Sequence, residues 1–240
     1  MAREVIPEEN YYTNWNKGKE DLSDKYAGQA CVLVANGPSL NDVPLWFLRK
    51  FPTIGTNNIY LKEDFIPTFY TILGFSQLNT EEKRGYCRDI IERARYAFVN
   101  RGLYPYFDAP HVYAIHSIDL VTRGRQVPKT KFSKNPLRTL GIGVTNTYIM
   151  LQIVYWLGFT TVMCVGLDNN YGADETKLHF YENDPRYACE PFMGRPQHKE
   201  GSYKMFELAN TEFIKDGRKI ININGVNNTP FQSIPPKVVW

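Results

Sequence analysis

The sequence predicts an α/β fold, a mostly parallel sheet with helices on both faces and a lid-like insertion. Three observations lead there. Short apolar runs rich in β-branched residues alternate with longer stretches suited to helices, the order that produces parallel strands joined by crossovers. The runs are almost wholly apolar rather than alternating, as strands covered on both faces are. One stretch of over thirty residues, after Asp168, breaks the pattern with Tyr, Asn, Asp, Pro and Gly and no clear period.

The elements follow in order. Residues 1–29, including "YYTNWNKGKEDLSDKYAGQ", have weak periodicity and read as an N-terminal arm packed on a single domain of residues 30–240. Ala30 to Ala35 is the first strand, Val43 to Lys50 a helix, Thr53 to Thr56 the second strand and Thr68 to Leu73 the third. A charged helix near Thr80 to Arg95 precedes "YAFVN" and "HVYAI", the fourth and fifth strands. "VTNTYIMLQIVYWLG" is a helix with Thr145 or Asn146 as N-cap and Gly158 as its stop. Its apolar residues cover nearly the whole circumference, so it is expected between the sheet and another layer. "TTVMCVGLD" is a further strand, the lid covers about 169–200, and a helix Ser202 to Lys215 and a strand Lys219 to Ile223 close the pattern.

Bulk properties narrow the function. A net charge of +3 on 240 residues does not call for nucleic acid as a partner. Six basic residues and no acidic ones lie in "RGRQVPKTKFSKNPLR", from Arg123 to Arg138, which is either a solvated loop or an anion-facing one. Cys31, Cys87, Cys164 and Cys189 show no paired spacing and are expected reduced. There is no apolar stretch of signal-peptide length at the start, and the longest apolar run, around Tyr148 to Leu157, is interrupted by Gln152. The expectation is a cytoplasmic protein without a transmembrane segment; whether it is a homo-oligomer stays open.

Four polar clusters fall where strands end. The first is Asn36, Gly37, Pro38 and Ser39, good turn chemistry, but also a place where glycine admits a ligand to the backbone and N–H groups favour an anion. It lacks the Lys-Ser/Thr ending of a Walker loop and the three-glycine dinucleotide fingerprint. The second is Asn57 and Asn58 in "IGTNNIY", the third "GVTNTY" with Asn146 and Thr147, the fourth "VGLDNNY" with Gly166 and Asp168. In an open parallel sheet, ligands bind beyond the carboxyl ends of the strands. The coincidence points to a nucleotide or nucleotide-sugar crevice.

The order of "VLVANGPSL", "IGTNNIY", "TNTYIMLQIVYWLGFTTVMCVGLDNNY" and "QHKEGSYKMFELANTEF" resembles the bacterial CMP-sialic-acid-dependent sialyltransferases of the Campylobacter type. Their wider superfamily includes motility accessory factor proteins and the archaeal hydroxymethylpterin pyrophosphokinase. The resemblance implies a Rossmann-like nucleotide-binding domain and a lid over a CMP-sugar. It implies Asn36 and Gly37 at the nucleotide, Asn57 at the phosphate or ribose region, and Asn146 with Thr147 as a small polar pair at a helix start. By the same resemblance His198 is the general base, and Tyr171 and Tyr181 are lid tyrosines that assist departure of CMP. Thr71 lies closest to a further substrate-contacting Asn of the family, and one residue is inserted between Asp168 and Tyr171.

The implied reaction moves a sialic-acid-type sugar from a CMP donor to a glycan or small-molecule acceptor hydroxyl, with inversion and without metal or cofactor. Of the other histidines, His111 and His116 suit structural roles and His179 rivals His198 as base. Two alternatives remain: a Mg²⁺-dependent pyrophosphokinase, in which Asp168 and Asp174 would serve the metal, and a non-catalytic nucleotide-sugar-binding protein.

Overall fold

The computed structural model describes residues 15–115, 117–118, 131–141, 143–170, 178–181, 196–223 and 228–239, with the backbone alone at 117–118 and 196–198. Most of the expected lid, the basic run up to residue 130, His116, Tyr171, Asp174 and Cys189 lie outside the described residues.

The strands are β1 (Ala30–Val34), β2 (Thr53–Thr56), β3 (Phe69–Ile72), β4 (Tyr96–Asn100), β5 (Val112–Ile115), β6 (Ser117–Ile118), β7 (Leu140–Gly141), β8 (Thr161–Val165), β9 (Lys219–Asn222) and β10 (Gln232–Ser233). The helices are α1 (Leu45–Lys50), α2 (Glu81–Arg93), α3 (Asn146–Trp156) and α4 (Pro196–Lys215). Eight strands form one sheet in the order β10-β9-β8-β1-β2-β3-β4-β5, every described pairing being parallel. β6 and β7 pair separately. This is the expected Rossmann-like α/β architecture. From β1 the chain builds outward through β5, then returns to lay β8 on the other side of β1, so the strand order reverses between β1 and β8.

The alternation of side chains along β1 sorts the core into two layers. Cys31 and Leu33 join Ile54, Phe69, Phe98 and Tyr113 on one face, under α3 and the α4 residues Met205, Phe206, Ala209 and Phe213. Val32 and Val34 join Tyr70, Ile72, Ala97 and Val99 on the other, under Phe47 and Leu48 of α1 and Cys87, Ile90 and Ile91 of α2. Cys31, Cys87 and Cys164 are free and buried, and burial raises each thiol pKa, that of Cys87 to about 11.

α3 fits its sequence: from Thr147 to Trp156 every residue is buried, with the helix between the sheet and α4. Gln152 in its middle is fully buried because its amide is spent on backbone. Its Oε1 accepts from Ser133 N and Gly141 N, and its Nε2 donates to Gly141 O, each at 2.9 Å. Gly158 follows with φ of 92°, the left-handed stop that suits glycine.

Two elements depart from expectation. The segment after β1 is a 3-10 turn, Pro38–Asp42, before α1 begins, because Val43 and Pro44 hold extended backbone. α4 begins at Pro196, six residues before the expected Ser202, using a proline that suits a helix's first turn. The described part of the arm is built into the body. Leu22 and Tyr26 enter the core, and the Asn16 side chain donates to Ala114 O at 2.8 Å and accepts from Ala114 N at 2.9 Å along the outer strand β5. Among the described residues no helix is long and apolar enough to cross a membrane.

Candidate functional site

The register sets the site. Val34 pairs with Gly55 of β2 and Val165 of β8, so the residues just beyond these strands emerge at one rim of the sheet. A cavity of about 440 Å³ opens there, at the reversal between β1 and β8. Of the residues expected at a site, Asn36, Gly37, Pro38, Asn57, Asn146, Thr147, Gly166 and Asp168 line it. Residues from four separate parts of the chain are thereby brought together.

The amides meet directly. Asn146 Nδ2 donates to Asn57 Oδ1 at 2.7 Å across 89 residues of sequence. Asn57 manages this from a left-handed backbone, φ 51°, which asparagine tolerates better than most residues. Asn36 Nδ2 donates to Thr56 O at 3.1 Å, so its amide group is oriented by a carbonyl that can only accept. Among the described residues its buried Oδ1 has no donor, and Ser39 Oγ, Thr145 Oγ1 and Asn169 Oδ1 are likewise buried without a partner.

The turn after β1 is clamped to the tip of β8. Gly37 N donates to Gly166 O at 2.8 Å, and Ser39 N donates to Asp168 Oδ2 at 3.1 Å. The Gly37 and Ser39 N–H groups, which the turn could have offered an anion, are therefore engaged within the protein, and the Ser39 side chain makes no cap of the turn that follows. Only glycine fits at 166, where φ is 64° and a Cβ would come within 2.5 Å of Ala35 O.

Asn58 is buried and turned away from the cavity. Its Nδ2 donates to Tyr181 OH and its Oδ1 accepts from Tyr60 OH, both at 3.0 Å. Tyr181 does not line the cavity and stacks on His179 at 4.8 Å. Thr71 is fully buried in the sheet, its hydroxyl donating to Gly55 O. His111 bonds Ile91 O at the far end of β5.

His179 is a wall of the cavity. Residues 178–181 are stitched to the β1 turn through Phe180, whose N donates to Asn36 O at 2.9 Å and whose O accepts from Asn41 Nδ2 at 2.8 Å. The Phe180 ring is buried in the second core layer. Burial lowers the His179 pKa, partly offset by a backbone hydrogen bond with Asn36. His198 sits in the first turn of α4; position 198 falls one turn before Gly201, where a Cβ would stand 3.3 Å from the cavity residue Val144.

Sequence reasoning missed the contribution of residues 228–229. Asn169 Nδ2 donates to Asn228 O at 2.7 Å and Asn228 Nδ2 donates to Asp168 O at 3.0 Å, fastening this segment to the tip of β8. Asn222 secures it from below, donating to Leu167 O and Thr229 Oγ1. Among the described residues six asparagines line the cavity, at 36, 57, 146, 169, 170 and 228, with Asp168 and His179 as the titratable groups. Such a lining recognises through oriented hydrogen bonds more than through net charge. Among the described residues no three His, Cys, Asp or Glu are grouped to hold a metal ion.

The sequence matches no protein-family model and no curated protein. Among solved structures, the sialyltransferase CstII from Campylobacter jejuni in complex with the substrate analogue CMP-3FNeuAc is similar, with a TM-score of 0.51, 15% identity and coverage of 86% of each chain. The complex of the same enzyme with cytidine-5'-monophosphate gives 0.49 at 12% identity, over 82% of this chain and 80% of that one. The fold of this chain is thus similar to that of the sialyltransferase CstII from Campylobacter jejuni.

Proposed function

We propose that this protein is a glycosyltransferase of the sialyltransferase type, transferring a sialic-acid-type sugar from a CMP donor to an acceptor hydroxyl without metal or cofactor. The observation that carries the reading is the gathering of Asn36, Asn57 and Asn146 at one rim, with the 2.7 Å bond between the last two, at the point where strand order reverses. CstII, which shares the fold, is described as a sialyltransferase and binds a CMP-sugar analogue.

In this reading the nucleotide lies against the β1 turn and the tip of β8, where Asn36, Gly37 and Asp168 line the cavity. The acceptor oxygen attacks the anomeric carbon from the face opposite the phosphate. Its proton passes to the imidazole of His198, and the electron pair of the breaking bond leaves with the CMP phosphate. Charge growing on the phosphate is met by hydroxyl donors, the role proposed for Tyr171 and Tyr181. Tyr181 does not line the cavity, so its hydroxyl has to move to reach the phosphate.

A thermal-shift panel of CMP, UDP, GDP and ATP tests the ligand, since a nucleotide at a hundred times its Kd stabilises the folded chain by about 2.7 kcal/mol. CMP is expected to raise the melting temperature most. CMP release from a CMP-sugar should survive EDTA and stop in His198→Ala, while that variant still binds CMP. Stabilisation by ATP with Mg²⁺ alone would overturn the proposal in favour of phosphoryl transfer.

A further inference from the structure

We infer that Asn169 is the residue by which the crevice distinguishes bases, accepting a hydrogen bond from an exocyclic amine such as the 4-amino group of cytosine. The inference rests on the nucleotide reading above and assigns a specificity role within it.

Asn169 follows the tip of β8 in a left-handed backbone, φ 46°, and is 6% exposed. Its Nδ2 donates to Asn228 O at 2.7 Å. A backbone carbonyl can only accept, so the amide cannot be exchanged end for end, and Oδ1 is left as an acceptor of fixed direction. That oxygen is buried and has no donor among the described residues. Its mount is rigid, because Asn228 is itself tied to Asp168 O and Asn222 holds the neighbouring Thr229.

Asn169 lines the cavity together with Leu167 and Leu178, apolar side chains that suit the face of a ring. A buried acceptor without a donor is costly, and a ligand N–H relieves it. An amine at position 4 of a pyrimidine satisfies the oxygen. A keto oxygen at the same position opposes one acceptor with another and leaves both unpaired. The oxygen is shielded from water, so a base reaches it only when a group covering it moves aside.

CMP and UMP differ at position 4 and, with it, at N3, which accepts in cytosine and donates in uracil; calorimetric titration of the whole chain with each reads the preference. The wild type should bind CMP tighter than UMP by about tenfold or more, one well-placed hydrogen bond set against one forfeited. Asn169→Gly, which keeps the left-handed backbone, should bring the ratio to about one. A wild-type ratio near one overturns the inference, whatever the variant does. So does an equal loss of both nucleotides in Asn169→Gly, which would assign the oxygen to a sugar hydroxyl. Absence of binding by either nucleotide sinks the nucleotide reading itself, whereas binding without discrimination sinks only the role of Asn169.

Discussion

Gly37 and Gly85 make a paired test of how the crevice is built. Gly37 has φ −72°, a backbone that alanine adopts freely, so any cost of Gly37→Ala comes from neighbours alone. A Cβ there would stand 2.6 Å from Gly166 O and closer still to Asp168 Oδ2. The carboxylate can swing, but the carbonyl belongs to a backbone already pressed against Ala35, so the tips of β1 and β8 must part. Parting them endangers the neutral bond from Gly37 N, worth about 1 kcal/mol, and the charged one from Ser39 N, worth about 2. The loss of about 3 kcal/mol corresponds to a fall of about 6–12 °C in Tm for a chain of this size. Gly85 lies within α2 with nothing within 4 Å of a Cβ, and there the same substitution should stabilise by about 0.8–1 kcal/mol through helix propensity. Differential scanning calorimetry of both variants, with CMP titration of the first, reads the two signs. Gly37→Ala melting with the wild type and binding CMP unchanged would refute the clamp between the strand tips.

Gln152→Met should destabilise by about 3 kcal/mol, since four bonds between its amide and backbone groups are lost, and should expose residues 131–141 to proteases. Urea melts and limited digestion check both effects. Phe180→Ala should cost less than the about 3–5 kcal/mol of a central core Phe, because its ring lies at the margin of the second core layer, 9% exposed, yet CMP affinity should fall in titration. Burial holds the His179 pKa down, so the unfolded chain takes up its proton near pH ~6.5 while the folded chain waits for stronger acid. That contribution is intact above this pH and is lost as pH drops below it. The acid limb of a Tm-against-pH curve should therefore be shallower in His179→Gln.

The strand tips could be read from local pattern, because each strand is an apolar run cut off by small polar residues, and parallel order then forces those ends to one rim. Asn57 and Asn146 meet for that reason, although nothing local says that one donates to the other. What escaped depends on partners far along the chain. Ser39 N is taken by a carboxylate 129 residues away, and Asn58 is drawn off by Tyr181, so both leave the surface where their turn chemistry would put them. Asn228 carries no periodic or motif signal of its own; its place comes from β9, whose Asn222 bolts the following segment to β8. The early start of α4 was hidden because a Pro-Gln-His-Lys opening looks like loop chemistry until the packed face beyond Gly201 extends it backward.

Among the described residues no strand pairs with the outer side of β5, and there the amide of Asn16, bonded to both polar groups of Ala114, imitates one residue of such a neighbour. It acts as a guard rail, leaving an approaching molecule no bare ladder to grip at that point. Shortening the chain past this residue would uncover both groups of Ala114 and leave that stretch of the border open to pairing with a strand from another molecule.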